Sequence, residues 1–324
     1  MKKLISMLLC AALLLSALAA CSKDAPQDGQ TAGRLPDLMV MSGPTGVGSA
    51  KLISEWEAGA SVVASATVVA DNEEVKNALI NGDADIAAVA TNVASALYNK
   101  TGGAIQVLAI NTLGVLYLVT NGSVAVESIE DLAGQTVYAP AQNPTFIFQH
   151  IVNAAGLTDV TIDNTYAQPA DLNTAVASGQ VSIAVLPEPM VTVAKSKNPN
   201  LQVVLDLTAE WDKVSPAGSL VQGCVVVRKD FALENVAAVN TFLDEYTVSI
   251  ETLVEDVEGT AAKIEANGIF AKAAVAAKAI PNCNVCFITG SEMKTALAEF
   301  LTIMHGVAPA SVGGPADDFY YIAE

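Results

Sequence analysis

The sequence predicts an α/β protein of two lobes, and three observations carry that expectation. Short apolar strands alternate with amphipathic helical stretches from Leu38 onward. A second unit of the same style starts near Asn121. Strand-like segments at about 118–122 and 218–226 join the units, so the chain crosses between lobes twice. Lobe 1 is therefore expected from residues 36–120 plus 219–324, and lobe 2 from residues 121–218.

The N-terminus reads as an address. Lys2 and Lys3 precede an uncharged apolar run from Leu4 to about Leu15, and Leu18-Ala19-Ala20-Cys21 follows. Basic start, short apolar stretch and small residues before a cysteine describe a secretory signal over residues 1–20 ending in a lipobox. The run is shorter than the ~20 residues of a membrane span. The expected mature chain starts at Cys21, carries lipid there and sits outside the cytoplasmic membrane. Each buried methylene of such an anchor contributes ~0.8 kcal/mol. Residues 21–35, polar with scattered Gly, Pro and Asp, are a lipidated tether.

The elements then follow in order. Leu38–Ser42 is a strand, followed by a Gly-rich turn and a helix from about Ser49. Ala66–Ala70 is a strand, Asn72–Asn81 a helix stopped by Gly82, and Asp85–Ala90 a buried strand with Thr91-Asn92 capping the next helix. Ile105–Ile110 and Val115–Thr120 are strands. In the second unit Ser128–Asp131 has the form of a capping box. Thr136–Ala139 is a strand, and Gln142–Thr145 opens the helix that holds His150. Thr161–Tyr166, Ser182–Leu186 and Leu201–Leu207 are strands, with Asp171 capping the helix over Leu172–Ser178. Leu220–Val227 returns to strand character, and the remainder is mostly helical, with a strand after the turn at Pro281–Cys286.

Composition narrows the chemistry. Cleavage after residue 20 leaves 304 of 324 residues and takes the formal charge from −18 to −20. With no basic block, nucleic acid is not an expected partner. His150 and His305 stand alone in sequence, and no G-x-S-x-G or HExxH occurs, so no catalytic set, metal site or cofactor is expected. Cys283-Asn-Val-Cys286 is a lone CxxC, compatible with buried thiols, a local disulfide, or redox or metal work.

Gly43-Pro-Thr-Gly-Val-Gly48-Ser-Ala-Lys51 approaches a phosphate-binding loop, but Ser49 stands where the lysine belongs and Lys51 comes two positions late. What remains is a turn that exposes backbone N–H groups at a helix start, or a plain tight turn. Val89–Asn92, Ala139–Thr145 and Leu186–Pro189 share its design of buried strand, small or polar turn and helix start. Ligands of open α/β sheets bind beyond the C-terminal ends of strands, so these turns nominate Thr45, Gly46, Thr91, Asn92, Gln142, Asn143, Thr145 and Glu188. Tyr117, Tyr138, Phe146, Tyr166 and Trp211 are stacking candidates that serve equally as core.

Gly43–Lys51, Asp85–Asn92 and Ala109-Ile-Asn-Thr-Leu-Gly-Val-Leu-Tyr117 resemble substrate-binding lipoproteins of ABC importers, in the branch that binds nitrate, sulfonate, taurine and thiamine precursors. Ala184–Pro189 and Val312–Tyr321 carry the same resemblance. It implies a type II periplasmic-binding-protein fold. Each lobe would be a mixed sheet flanked by helices, and a two-strand hinge would close the lobes on one small molecule. It also adds Leu113 and Gly114 to the site, and implies a monomer that docks on a membrane permease. The candidate turns contain no arginine, and Glu188 is the one charge placed in a turn, which favours a nitrogenous, aminopyrimidine-like ligand. A sulfonate or nitrate binder, an extracellular sensor and an enzyme on the same fold are the alternatives.

Overall fold

The computed structural model describes residues 33–314 and 316–322; the signal, Cys21 and the tether up to residue 32 lie outside the described residues. The first stretch contains β1 (Asp37–Met41), α1 (Pro44–Val47), α2 (Ala50–Glu57), β2 (Ser65–Val69), α3 (Asn72–Asn81), β3 (Ile86–Ala90), α4 (Thr91–Thr101) and β4 (Ile105–Thr112). The next contains β5 (Leu116–Thr120), β6 (Thr136–Tyr138), α5 (Asn143–Ala154), β7 (Thr161–Asp163), α6 (Pro169–Ala177), β8 (Ile183–Pro187), α7 (Met190–Lys197), β9 (Gln202–Asp206) and α8 (Leu207–Val214). The last contains β10 (Gly223–Arg228), α9 (Lys229–Glu234), α10 (Val236–Glu255), α11 (Val257–Ala266), α12 (Ala273–Ala279), β11 (Val285–Ile288) and α13 (Gly290–Val307).

The strands form two mixed sheets, ordered β11-β4-β10-β3-β1-β2 and β7-β6-β8-β5-β9. In the first, β1 is parallel to β2 and β3, while β10 enters antiparallel between β3 and β4. In the second, β6 is parallel to β7 and β8, and β5 is antiparallel to β8 and β9.

Local chemistry accounts for the ends of several elements. The Asp71 side chain accepts from Glu73 N and caps α3, which Gly82 closes in the left-handed region at φ 83°. Ser128 and Asp131 form the capping box read from the sequence, on a short 3-10 turn at Ile129–Leu132. Thr91 and Asn92, expected as caps, are instead the first residues of α4; the cap position is Ala90, which offers no side-chain acceptor. Pro169 at the first position of α6 moves that helix start ahead of Asp171, which lies in the first turn.

Period-two alternation builds the core. Leu38, Val40, Ile86, Ala88, Val225 and Val227 face one side of the first sheet, where Phe242 and Tyr246 of α10 cover them. Met41, Ala87, Val89, Cys224 and Val226 face the other, in a cluster continuous with Leu116, Leu118, Ile183 and Val185 of the second sheet. Trp211 and Phe300 lie in that same cluster, fully buried, with ring centroids 5.9 Å apart. Trp211 is therefore core, and its Nε1 donates to Ser219 Oγ at 2.9 Å.

One boundary differs from the sequence reading. Residues 116–120, assigned to lobe 1, belong to the second sheet, because their backbone pairs with β8 on one edge and β9 on the other, and both faces of the strand are covered. The chain passes between sheets through Leu113–Val115 and through 215–222, which are irregular segments and not strands.

Candidate functional site

β1, β3 and β8 deliver their C-terminal ends to one place, the gap between the two sheets. A cleft of about 310 Å³ lies there. Ser42, Gly43, Thr45, Ala90, Thr112 and Gln222 line it from the side of the first sheet, and Pro169, Pro187, Glu188 and Met190 from the side of the second. This is where open α/β sheets hold ligands.

Glu188 is the one charged residue lining the cleft. It is 2% exposed. Its Oε2 accepts from Thr192 N at 3.1 Å, and its Oε1 from Thr192 Oγ1 at 3.0 Å and from Asn282 Nδ2 at 3.5 Å. Burial pushes its pKa above the usual carboxylate value, against the lowering effect of those bonds and of Lys195. Its own N–H donates to Val115 O at 3.0 Å, which fixes the residue against the first crossover. The Glu188–Pro189 bond is cis.

The other sequence-nominated residues divide. Thr45 lines the cleft, and its carbonyl accepts from the buried Asn111 Nδ2 at 2.8 Å; that amide also donates to Tyr246 OH at 3.1 Å. Gly46 is enclosed instead: a Cβ there would stand 2.4 Å from Met41 O. Gly114 is likewise a packing glycine, its Cβ position 2.2 Å from Thr208 Oγ1. Leu113 packs against the core, and its N–H donates to Asn284 O at 3.0 Å. The Thr91 hydroxyl is buried beside the Cys224 thiol.

Asn92 and Asn143 meet each other, with Asn143 Nδ2 donating to Asn92 Oδ1 at 3.0 Å. Asn143 Oδ1 is buried and has no partner among the described residues. Gln142, at φ 67°, is the exposed cap residue of α5. Thr145 Oγ1 donates to Pro140 O at 2.7 Å and accepts from Asn164 Nδ2 at 2.6 Å. Lys51 turns to Glu55 and Glu245, at 2.7 Å and 3.2 Å, and does not line the cleft.

Sequence reasoning missed Gln222. Its Oε1 accepts from Val115 N at 2.7 Å, so it joins the two crossovers at the back of the cleft. The signal was present: one amide interrupts the apolar run from Leu220 to Val227.

Cys224, Cys283 and Cys286 are free thiols, and burial raises the pKa of all three. Among the described residues no three His, Cys, Asp or Glu side chains converge as a metal site would require. No described helix is long and apolar enough to cross a membrane.

The two mixed sheets, the double crossover and a cleft at the strand ends define the periplasmic-binding-protein fold. The chain is similar to the crystal structure of an ABC transporter protein from Parabacteroides distasonis, with a TM-score of 0.75 and 23% identity over 90% of this chain and 100% of that one. It is also similar to the periplasmic aliphatic sulphonate binding protein of Escherichia coli, with a TM-score of 0.68 and 14% identity over 89% and 93% of the two chains. A third similar structure is the zinc-bound ligand-binding component of an ABC-type import system from Staphylococcus aureus, with a TM-score of 0.67 and 12% identity over 89% and 97%. No family model matches the sequence, and no curated protein matches it.

Proposed function

We propose that this chain is an extracytoplasmic solute-binding lipoprotein. It captures a small molecule between its lobes and delivers it to the membrane permease of an ABC importer. The observation that carries this reading is the cleft at the C-terminal ends of β1, β3 and β8, lined from both sheets. Similarity to proteins described as parts of ABC transport systems supports it. The mature chain is a monomer held by lipid on Cys21, with the tether giving it reach toward the permease.

The same fold accompanies a sulphonate binder and a zinc-bound protein, so the ligand must be argued from this cleft. Its lining contains Glu188 and neither lysine nor arginine. A free sulfonate would find no cation there. An amine or a heterocyclic N–H would find a carboxylate at the wall, and its charge-assisted bond would be the stronger for burial. The ligand class is therefore nitrogenous and organic, of aminopyrimidine-like chemistry. Binding works by lobe closure: each lobe carries part of the polar lining, so a bridging ligand favours the closed state through contacts that only that state completes.

Calorimetric titration of the mature protein with amines, aminopyrimidines and alkylsulfonates tests this. Amine or aminopyrimidine binding is expected to weaken about ten-fold or more in Glu188→Gln, the loss of one charge-assisted bond. Thr91→Ala and Gln142→Ala extend the test to the residues nominated from sequence. Tight binding of a simple alkylsulfonate, with none of amines, would overturn the ligand class. For the anchor, Cys21→Ser is expected to leave affinity intact while reducing membrane retention and uptake.

A further inference from the structure

A second cavity, of about 500 Å³, lies against a different face of α7 from the one that borders the cleft. It opens between the lobes. Tyr117 of β5, Val203 of β9 and Lys195 of α7 line it from the side of the second sheet, and Lys278 of α12 and Asn282 from the side of the first. Glu188 forms part of its wall as well as part of the wall of the cleft.

We infer that this lateral cavity binds a small oxyanion of the carboxylate, phosphate or sulfate class, held between Lys195 and Lys278 so that it bridges the lobes. Two cations from opposite lobes face one cavity, and among the described residues neither forms an ion pair. Both lysines are exposed, so their ammonium groups are free to turn toward a bound anion.

A third donor is also available. Asn282 Nδ2 reaches Glu188 Oε1 and Lys278 O only at 3.5 Å each, the outer limit of hydrogen bonding, so most of its donor capacity is unspent. Tyr117 OH donates to Asn282 O at 2.9 Å and holds that residue at the mouth of the cavity. Two lysines and an amide lining one cavity are a donor set for an oxyanion, and lysine binds oxyanions of either planar or tetrahedral shape. Because the lysines stand on different lobes, the anion makes its full set of contacts only when the lobes are together. It would then favour closure independently of what the cleft holds.

The test uses the mature protein in detergent with no cleft ligand added. Inorganic phosphate, sulfate and succinate are titrated separately, with chloride at matched ionic strength as control, and read by calorimetry and thermal melting. Saturable binding of at least one of the three, with a raised melting temperature that chloride does not give, is expected. Lys195→Gln and Lys278→Gln should each weaken it about ten-fold or more, whereas Lys51→Gln and Thr45→Val should leave it unchanged. Since Thr45 lines the cleft and not the lateral cavity, failure here and failure of the cleft assignment are separate results. No saturable binding of any of the three anions would overturn the inference. So would binding that neither lysine variant weakens, or that only one of them weakens.

Discussion

Asn143 Nδ2 donates to Asn92 Oδ1 across 3.0 Å and ties the first turn of α5 to the first turn of α4. The two helices follow β6 and β3, which belong to different sheets, so the bond holds the lobes directly to each other. A second lobe-to-lobe bond runs from Tyr117 OH to Asn282 O at 2.9 Å.

A double-mutant cycle measures the asparagine pair. Asn92→Ala and Asn143→Ala should each lower stability by about 1 kcal/mol, with a coupling of about 0.5–1.5 kcal/mol between them. Denaturant midpoints give the four values. Strict additivity would mean that the bond contributes nothing in solution.

Glu188 should make the protein less stable as pH rises through its raised folded pKa. Burial raises its folded pKa above 4.5, so between those values the folded state holds more protons than the unfolded one, and stability declines as pH rises through the window. The melting temperature of Glu188→Gln, relative to the parent, should therefore climb as pH rises above 4.5. A difference that stays flat would contradict a raised pKa.

His150 acts with the opposite sign. Burial holds its pKa below 6.5; its Nε2 meets Ser215 Oγ at 2.7 Å, and its ring lies 4.7 Å from that of Trp211. The unfolded chain takes up the proton first, so stability present above pH 6.5 is lost as pH falls from there through the folded pKa. His150→Gln should lose less stability than the parent on going from pH 7 to pH 5.5. Equal losses in thermal melts would remove this role.

Gly46→Ala separates packing from binding. Its Cβ would meet Met41 O at 2.4 Å and the Ile269 side chain at 3.2 Å, and the backbone atom cannot swing aside. A loss of roughly 1–3 kcal/mol is expected from overpacking, read as a lowered denaturant midpoint. Unchanged stability with weakened ligand binding would instead make Gly46 a ligand contact.

Alternation and turn chemistry made most elements readable from sequence. The largely buried β3, the capping box at Ser128 and Asp131, and the helix stop at Gly82 are local patterns with local causes. What escaped was long-range. The run over Leu116–Thr120 looks the same whichever sheet it joins, and only its pairing with β8 and β9 decides. Gly46 in a turn is indistinguishable by type from a glycine that exposes backbone to a ligand; the carbonyl of Met41 makes the difference. For the cleft, Thr45 and Glu188 were legible because each stands just past a strand end. Gln222 stood out only as one amide in an apolar run; its place at the back of the cleft depends on its bond to Val115, far away along the chain.

The position of β10 also sets an order of assembly. The second sheet draws all its strands from one continuous stretch, Leu116 to Asp206. The first cannot close until Gly223–Arg228 arrives between β3 and β4. During synthesis, one edge of β3 and both edges of β4 therefore wait for β10 and β11 after the last strand of the second sheet has been made. Such edges invite pairing with other chains. Premature termination anywhere between the two sheets' last strands would release a half-built first lobe beside a finished second one.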